Sequence, residues 1–159
     1  MTLAYVALGS NLGDSPRHVL DAMDALNALQ DTHLLRRSHL YLTPPWGVLE
    51  QPPFVNAVVA LDTGLSPDQL LDALLQIETA AGRVRAERNG PRTLDLDLLH
   101  MDGVTRDDEH LTLPHPRMPG RAFVLLPLHD VAPTLEIPGY GSVSELLAKL
   151  DASSCERLP

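Results

Sequence analysis

The order of its predicted strands and helices assigns this chain to the α+β class, with a ferredoxin-like split βαβ core. Three observations support the assignment: four apolar runs of strand length, two amphipathic helices between them, and 159 residues, which suffice for one domain with its own core. The order strand, helix, strand, strand, helix, strand is that of the split βαβ arrangement. We expect a single domain over residues 1–159, in which an antiparallel sheet packs helices against one face.

The chain is predicted to begin with a buried strand and an amphipathic helix. Residues 3–10 are almost continuously apolar, which is typical of a buried strand. Ser15 followed by Pro16 predicts the helix start, because a capping residue before proline suits the first turn. Gly9 and Gly13 are interpreted as a tight turn between the strand and the helix.

The middle of the chain is predicted to hold two strands, a proline-rich loop and a second helix. Residues 34–42 and 54–61 have strand patterns, and the prolines between them exclude regular structure. Ser66, followed three residues later by Gln69, forms a capping-box pattern that predicts the helix start. Gly82 predicts its end.

The remaining predicted elements are a fourth strand and a final helix. Residues 94–101 form the strand, and residues 114–119 are expected to be irregular because of their prolines. Residues 121–128 fit either a short helix or an extended apolar segment, since periodicity does not separate the two. Residues 142–150 are predicted to form the final helix.

Composition excludes several classes of protein. The formal net charge of −9 argues against general nucleic-acid binding, which requires a basic face. The single cysteine, Cys155, excludes a disulfide framework within the chain and favours a reducing compartment, so we expect a cytoplasmic protein. No signal peptide is recognisable at the start, and no apolar run approaches the ~20 residues of a membrane span.

The positive charge is concentrated in one segment. Four of the twelve basic residues fall within ten positions, namely Arg83, Arg85, Arg88 and Arg92. A dense arginine patch in an acidic protein suggests a compact anionic ligand, because guanidinium groups bind carboxylates and phosphates through paired hydrogen bonds. A solvated helix end with loose salt bridges is the alternative.

Two aspartates lie on one face of the fourth strand. Asp95 and Asp97 alternate with leucines, so their Cα atoms should be ~6.5–7 Å apart on the same side. Mg²⁺ is commonly held by one or two carboxylates together with substrate phosphates. A half-solvated acidic strand face is the alternative, but the arginine patch just upstream favours a phosphoryl-transfer site.

A second set of residues suits a flat ligand. The irregular segment 43–53 carries Trp46 and leads into Phe54 and Asn56, which share a face of the third strand. With Phe123, these side chains could form a slot of two rings and an amide around a planar heterocycle. Ordinary core packing of both rings is the alternative. His115, between two prolines, is either a ligand contact or a surface histidine.

Together, these segments resemble one family over about residues 3–150. The pieces are AYVALGSNLGD, TPPWG, QPPFVNAVV, GRVR, GPRTLDLDLL, LTLPHPRM and RAFVLLPL. They are similar to those of 6-hydroxymethyl-7,8-dihydropterin pyrophosphokinases, enzymes of folate biosynthesis. The resemblance implies transfer of the pyrophosphate of ATP, as a unit, to the pterin hydroxymethyl group, which leaves AMP. It also implies two Mg²⁺ ions, with ATP as co-substrate.

The resemblance implies a role for each matching residue. The catalytic residues would be Arg83, Arg92, Asp95 and Asp97, with the two aspartates also holding the metal. The pterin would contact Thr43, Pro45, Trp46, Phe54, Asn56 and Phe123. ATP would contact Glu78, Arg85, Arg88, Leu98, Leu111, Thr112, His115 and Arg121. The chain departs from the family pattern at Phe54, Asn89 and Pro116, where some members carry tyrosine, tryptophan and tyrosine, and its arginine loop is one residue shorter.

Two other functions fit parts of the sequence. A nucleotidyl transferase or cyclase can also set two carboxylates on a ferredoxin-like sheet, but it would need a polymer groove or a second acidic site. A non-catalytic nucleotide- or pterin-binding module would not need metal carboxylates beside an arginine loop. We expect a monomer whose partners are ATP and hydroxymethyldihydropterin, with no nucleic acid and no membrane.

Overall fold

The structure of the protein is a computed structural model that describes residues 1–44, 50–82 and 93–159. The long strands are β1 (Thr2–Ser10), β2 (Thr32–Arg37), β3 (Tyr41–Thr43), β4 (Phe54–Thr63) and β5 (Asp95–Met101). The helices are α1 (Ser15–Asn27), α2 (Pro67–Ala80), α3 (Ala122–Val131) and α4 (Val143–Ala148). The short strands are β6 (Arg106–Asp107), β7 (Thr112–Leu113), β8 (Glu136–Ile137), β9 (Gly141–Ser142) and β10 (Glu156–Arg157).

The main sheet confirms the predicted fold class. In the described chain it has six strands, and every pairing is antiparallel. β4 pairs with β1 on one side and with β2 and β3, one after the other, on its other side. β1 also pairs with β5, and β10 pairs with β3. This is the split βαβ order, in which a third strand lies between the two strands of each βαβ unit.

The predicted strand over residues 34–42 is wrong in one respect, because it is two strands. Ser38 interrupts the ladder: its hydroxyl accepts the Val58 N–H at 2.9 Å, and its own N–H donates to the Val58 carbonyl. A side chain thus replaces one backbone acceptor, and the chain leaves regular strand geometry between β2 and β3. Both segments still pair with β4, so the fold class is unaffected.

The helix boundaries follow the capping chemistry, with one correction. α1 is capped by Asp14, not by Ser15, since the Asp14 carboxylate accepts the Arg17 N–H. The capping box of Ser66 and Gln69 is present in both directions at the start of α2. The ambiguous segment 121–128 is helical, as part of α3.

Helices cover both faces of the sheet, whereas one covered face was expected. On the first face, α1 and α2 pack leucines, Val19 and Met23 against alternate residues of β1, β4 and β5. On the second face, α3 and α4 pack against the intervening residues, including Tyr5 and Val58. Because side chains alternate along a strand, each central strand contributes to two separate core clusters. Within the described residues, no helix has the length and apolar character needed to cross a membrane.

Candidate active site

A cavity of about 460 Å³ opens over the second face of the sheet, beside the start of α3. Its floor is formed by three neighbouring strands that contribute Ala7, Gly9, Phe54, Asn56, Asp95 and Asp97. Its walls come from α2, the segment 115–117 and the first turn of α3. The described sheet therefore carries candidate groups of opposite chemistry, carboxylates and aromatic rings, into one space.

The register of the strands sets the order of these groups. Gly9 of β1 lies opposite Asn56 of β4 on one side and opposite Asp95 of β5 on the other. Ala7 lies opposite Asp97 in the same way. The small residues of β1 thus form a strip between the amide and the two carboxylates, and a strand spacing of ~4.8 Å separates each row.

Asp95 and Asp97 occupy the cavity side of β5, as the strand pattern predicts. Both are half-buried, whereas the intervening Leu96 is buried in the first core cluster. Two carboxylate side chains on one strand face provide oxygen ligands suited to a hard cation that keeps other ligands from water or phosphate. No group of three His, Cys, Asp or Glu residues that could hold a metal occurs among the described residues. The two carboxylates fit an ion that takes its remaining ligands from water or from a substrate.

Glu78 supports the strand that carries the aspartates. It is only 3% exposed, and its Oε2 accepts the Leu96 N–H at 2.7 Å. β5 is the last strand on its side of the described sheet, so this N–H would otherwise lack a strand partner. The contact joins the last turn of α2 to the residue between the two aspartates, which holds both carboxylates at the cavity.

Asn56 is oriented by a hydrogen bond and by a close contact. Its Nδ2 donates to the Thr43 hydroxyl at 2.6 Å, and Thr43 is almost fully buried. A Cβ on Gly9 would lie 2.9 Å from the Asn56 Oδ1, so the carboxamide occupies the space that a side chain would need. Gly9 lies within β1, which corrects its interpretation as part of a tight turn.

Phe54 and Phe123 both line the cavity, from β4 and from the start of α3. The Arg121 guanidinium lies over the Phe123 ring, 5.4 Å from its centroid, which is a cation–π geometry. A planar apolar surface and a cation therefore lie next to each other at this end of the cavity.

The end of the proline-rich segment is tied to the turn after β1. The Asn11 side-chain amide donates to Gln51 Oε1 at 2.8 Å and to the Pro52 carbonyl at 2.9 Å. Asn11 is nearly fully buried, so these bonds are shielded from water. These bonds fix the path of the backbone just before β4 begins at Phe54.

His115 is held in one tautomer beside two arginines. Its Nδ1 accepts the Arg117 backbone N–H at 3.2 Å, so the ring proton of the neutral imidazole is on Nε2. Burial lowers the pKa of His115, and the nearby positive charges of Arg121 and Arg117 lower it further, against a smaller raising effect of Asp95. A neutral imidazole that donates from Nε2 is a suitable partner for a phosphate oxygen.

The predicted site residues fall into three groups. Nine line the cavity: Thr43, Phe54, Asn56, Glu78, Asp95, Asp97, His115, Arg121 and Phe123. Three do not line it: Leu98 and Leu111, which lie in the first core cluster, and Thr112 of β7. The others lie outside the described residues, namely Pro45, Trp46, Arg83, Arg85, Arg88 and Arg92, together with the variant position Asn89.

Several cavity residues were missed by sequence reasoning. Leu75 and Leu71 precede Glu78 by one and two helical turns on α2 and line the cavity with it. Leu75 is 42% exposed. The i, i+4, i+7 spacing could have indicated this second face of α2. Arg117 was also missed, although it lies two residues after His115.

Comparison with known proteins identifies a family. The sequence model described as 7,8-dihydro-6-hydroxymethylpterin-pyrophosphokinase (HPPK) matches residues 5–133 of this chain. A 2-amino-4-hydroxy-6-hydroxymethyldihydropteridine pyrophosphokinase of Methylorubrum extorquens is 49% identical over 158 residues, which cover 99% of both chains. The enzyme of the same name from Pseudomonas aeruginosa is 50% identical over 155 residues, covering 98% of this chain and 96% of its own.

Solved structures agree with the fold. The HPPK-DHPS protein of Plasmodium falciparum, solved with pteroate, superposes with a TM-score of 0.78 at 15% sequence identity. The match covers 98% of this chain and 45% of that protein, so this chain spans less than half of its length. At such low identity the likeness concerns the fold alone.

Proposed function

Since this chain belongs to the 7,8-dihydro-6-hydroxymethylpterin-pyrophosphokinase family, we propose that its cavity holds the pterin between Phe54 and Phe123 and the phosphates of ATP over Asp95 and Asp97. The protein is an ATP-dependent pyrophosphokinase of folate biosynthesis. It transfers pyrophosphate from ATP to 6-hydroxymethyl-7,8-dihydropterin and gives AMP and the pterin diphosphate. The family membership sets aside the nucleotidyl transferase, the cyclase and the non-catalytic binding module.

One observation carries the assignment of the two subsites. The strand register sets the Asn56 amide and the Asp95 carboxylate on either side of Gly9, in adjacent rows of one cavity floor. A heterocycle held at the amide would thus present its substituent towards the carboxylates. Holding both reactants in one orientation is a major source of rate acceleration in such transfers.

The transfer is a substitution at the β-phosphorus of ATP. The hydroxymethyl oxygen of the pterin forms a bond to this phosphorus and releases its proton, while the bond to the oxygen that bridges the α- and β-phosphates breaks. AMP departs with the bridging oxygen. Negative charge grows on that oxygen, so cationic groups and hydrogen-bond donors around it lower the barrier.

Residues on the α3 side of the cavity supply donors for this charge. We propose that His115 donates its Nε2–H to a phosphate oxygen, because its Nδ1 is already engaged as an acceptor. Arg121 would bind a second phosphate oxygen while its guanidinium remains over the ring of Phe123. The low pKa of His115 keeps the imidazole neutral at pH 7, so donation does not require a prior protonation.

The aspartates would hold the metal. We propose that Asp95 and Asp97 bind two Mg²⁺ ions together with ATP, since carboxylates and phosphates are the usual ligands of this ion. When bound, the ions would neutralise charge on the attacking and leaving oxygens. Glu78 would keep both carboxylates in place through Leu96.

The remaining substrate contacts are proposed on the resemblance and on chemistry. Thr43 would orient Asn56 for the pterin edge, beside Pro45 and Trp46. The segment with Arg83, Arg85, Arg88 and Arg92 would close over the phosphates, because four guanidinium groups offer matched donors. For adenine, we propose the side formed by Leu98, Leu111 and Thr112.

The organisation of the protein is also proposed. We propose a single pyrophosphokinase domain over residues 1–159, supported by the near-complete mutual coverage with the bacterial relatives. We also propose that the protein acts as a monomer in the cytoplasm.

Product analysis tests this function. The protein is mixed with Mg-ATP and hydroxymethyldihydropterin, and the nucleotide and pterin products are separated by chromatography. We expect AMP and the pterin diphosphate in equal amounts, whereas ADP, free pyrophosphate or no turnover would overturn the proposal. Titration with Mg²⁺ then tests the proposed metal requirement, since activity without a divalent cation would contradict it.

The arginine segment has its own test. For Arg83→Ala and Arg92→Ala, the single-turnover rate should fall by a larger factor than the affinity for the pterin.

A further inference from the structure

Arg117 is a cation of the cavity that no part of the assigned site uses. It lines the cavity with Asp95, His115 and Arg121, and its side chain is exposed. Among the described arginines, Arg17 and Arg106 form ion pairs with aspartates, whereas Arg117, like Arg37, has no described carboxylate within ion-pair distance. Arg117 differs from Arg37 because it lines the cavity. A cavity arginine whose charge no described carboxylate neutralises can bind an anionic ligand.

The backbone of Arg117 is held independently of its side chain. Its N–H donates to His115 Nδ1, and the following Met118 N–H donates to the His115 carbonyl. The His115 N–H in turn donates to the Leu99 carbonyl of β5 at 2.8 Å. The segment is thus bound to the strand that carries the aspartates, and these bonds fix the backbone from which Arg117 lines the cavity.

Arg117 and Arg121 line the same cavity as His115. After burial, the positive charges of Arg121 and Arg117 lower the pKa of His115, whereas Asp95 raises it. A phosphate oxygen that accepts the His115 Nε2–H would therefore lie in a cavity that carries both guanidinium groups. Two arginines can bind a polyphosphate more strongly than one, because each neutralises a separate oxygen.

We propose that Arg117 is a further substrate-binding residue, which binds the polyphosphate of ATP together with His115 and Arg121. The proposal rests on the function proposed above and adds a residue that this function did not require. The group that Arg117 binds is a polyphosphate anion, and not the pterin. Its loss should therefore affect the binding of ATP and leave the binding of the pterin unchanged.

Three substitutions at this position and one matched control test the proposal. Arg117→Ala removes the cation, Arg117→Lys keeps a point charge without the paired donors, and Arg117→Glu reverses the charge. All three preserve the backbone bond to His115. The control is Arg37→Ala, an exposed arginine of β2 on the sheet edge away from the cavity.

Steady-state kinetics and direct binding are the measurements. We expect Arg117→Ala to raise the KM for ATP about tenfold, as for an exposed charge-assisted bond partly screened by solvent. Arg117→Lys should raise it less and Arg117→Glu more, while kcat, the KM for the pterin and the melting temperature stay near those of the native protein. Titration calorimetry with α,β-methylene-ATP should show the same order of affinities. A KM for ATP in Arg117→Ala equal to that of Arg37→Ala would overturn the proposal.

A spectroscopic readout separates this role from a structural one. Without the neighbouring cation, the pKa of His115 should rise towards its ordinary value in Arg117→Ala, as followed by NMR. An unchanged pKa would put the guanidinium too far from the site to act, and would overturn the proposal. If the native protein gave no AMP, the proposed function would fail, but binding of the ATP analogue would still decide the role of Arg117.

Discussion

Replacing Gly9 by alanine tests whether the absence of a side chain at this position orients the Asn56 amide, the proposed contact of the pterin. The new Cβ would lie 2.9 Å from the Asn56 Oδ1, whereas ordinary contact begins near 3.4 Å. The oxygen must therefore retreat by about half an ångström, which a rotation of the carboxamide can provide. Since the strained atom is the end of a side chain, the backbone of β1 need not move, and the protein should fold.

The expected cost falls on pterin binding. Rotation of the carboxamide weakens its 2.6 Å bond to Thr43 and misaligns its contacts with the ligand. One or two hydrogen bonds at about 1 kcal/mol each correspond to a rise of roughly 5- to 30-fold in the KM for the pterin. The KM for ATP should change less than about twofold, because no phosphate-binding group moves.

A double-mutant cycle with Asn56→Ala isolates the contact. Release of AMP is followed at varied pterin concentration for the native protein, Gly9→Ala, Asn56→Ala and the double variant. In the Asn56→Ala background, Gly9→Ala should have almost no further effect, because the oxygen it displaces is gone. If both changes raised the KM by independent factors, or if Gly9→Ala left it unaltered, the positioning role of Gly9 would be refuted.

Three further predictions follow from the site and the core. Asp97→Asn should lower kcat by about a hundredfold or more with an unchanged circular dichroism spectrum, because a charge that stabilises the transition state is lost; near-normal turnover would exclude the metal role. Glu78→Ala should reduce the free energy of unfolding in urea by about 1–3 kcal/mol, because the buried Leu96 N–H loses its acceptor, and Glu78→Gln should recover most of this loss. Burial lowers the pKa of His100 below its ordinary 6.5 in the folded protein. Because the unfolded chain then binds a proton at this imidazole more readily, the free energy of unfolding should fall as the pH is lowered from 6.5 towards the pKa of the folded state. Urea unfolding at several pH values checks this, and His100→Phe should flatten the slope, with His115→Gln as the comparison for the second histidine of lowered pKa.

Local chemistry made most of the fold predictable. The capping box at Ser66 and the alternation in β4 and β5 depend only on neighbours in the sequence, so the sequence predicts them well. The break at Ser38 depends on a bond to Val58, twenty residues away, and no local pattern indicates it. The sequence did not indicate that helices cover a second face, because α3 is apolar on nearly all sides and its pattern left helix and extended chain unseparated.

The candidate site was also predictable only in the parts that depend on local pattern. Because side chains alternate between the faces of a strand, the sequence predicted correctly that Asp95 shares a face with Asp97, and Phe54 with Asn56. The space above Gly9 was not predictable, because it depends on the register between β1 and β4. The proposed role of Arg117 was not predictable either, since it depends on the fold that brings this residue into one cavity with Asp95 and Arg121.

The two-sided packing of the central strands has a consequence for how this protein can change. Along β4 and β5, one set of alternate residues belongs to the core cluster packed by α1 and α2, and the intervening residues Phe54, Asn56, Asp95 and Asp97 line the cavity. Substitutions should therefore alternate in their effects with a period of two, with stability affected most at Val55 and Leu96 and substrate binding or turnover at Asn56 and Asp97. Such a strand could acquire a different substrate through one set of positions while the other set preserves the framework.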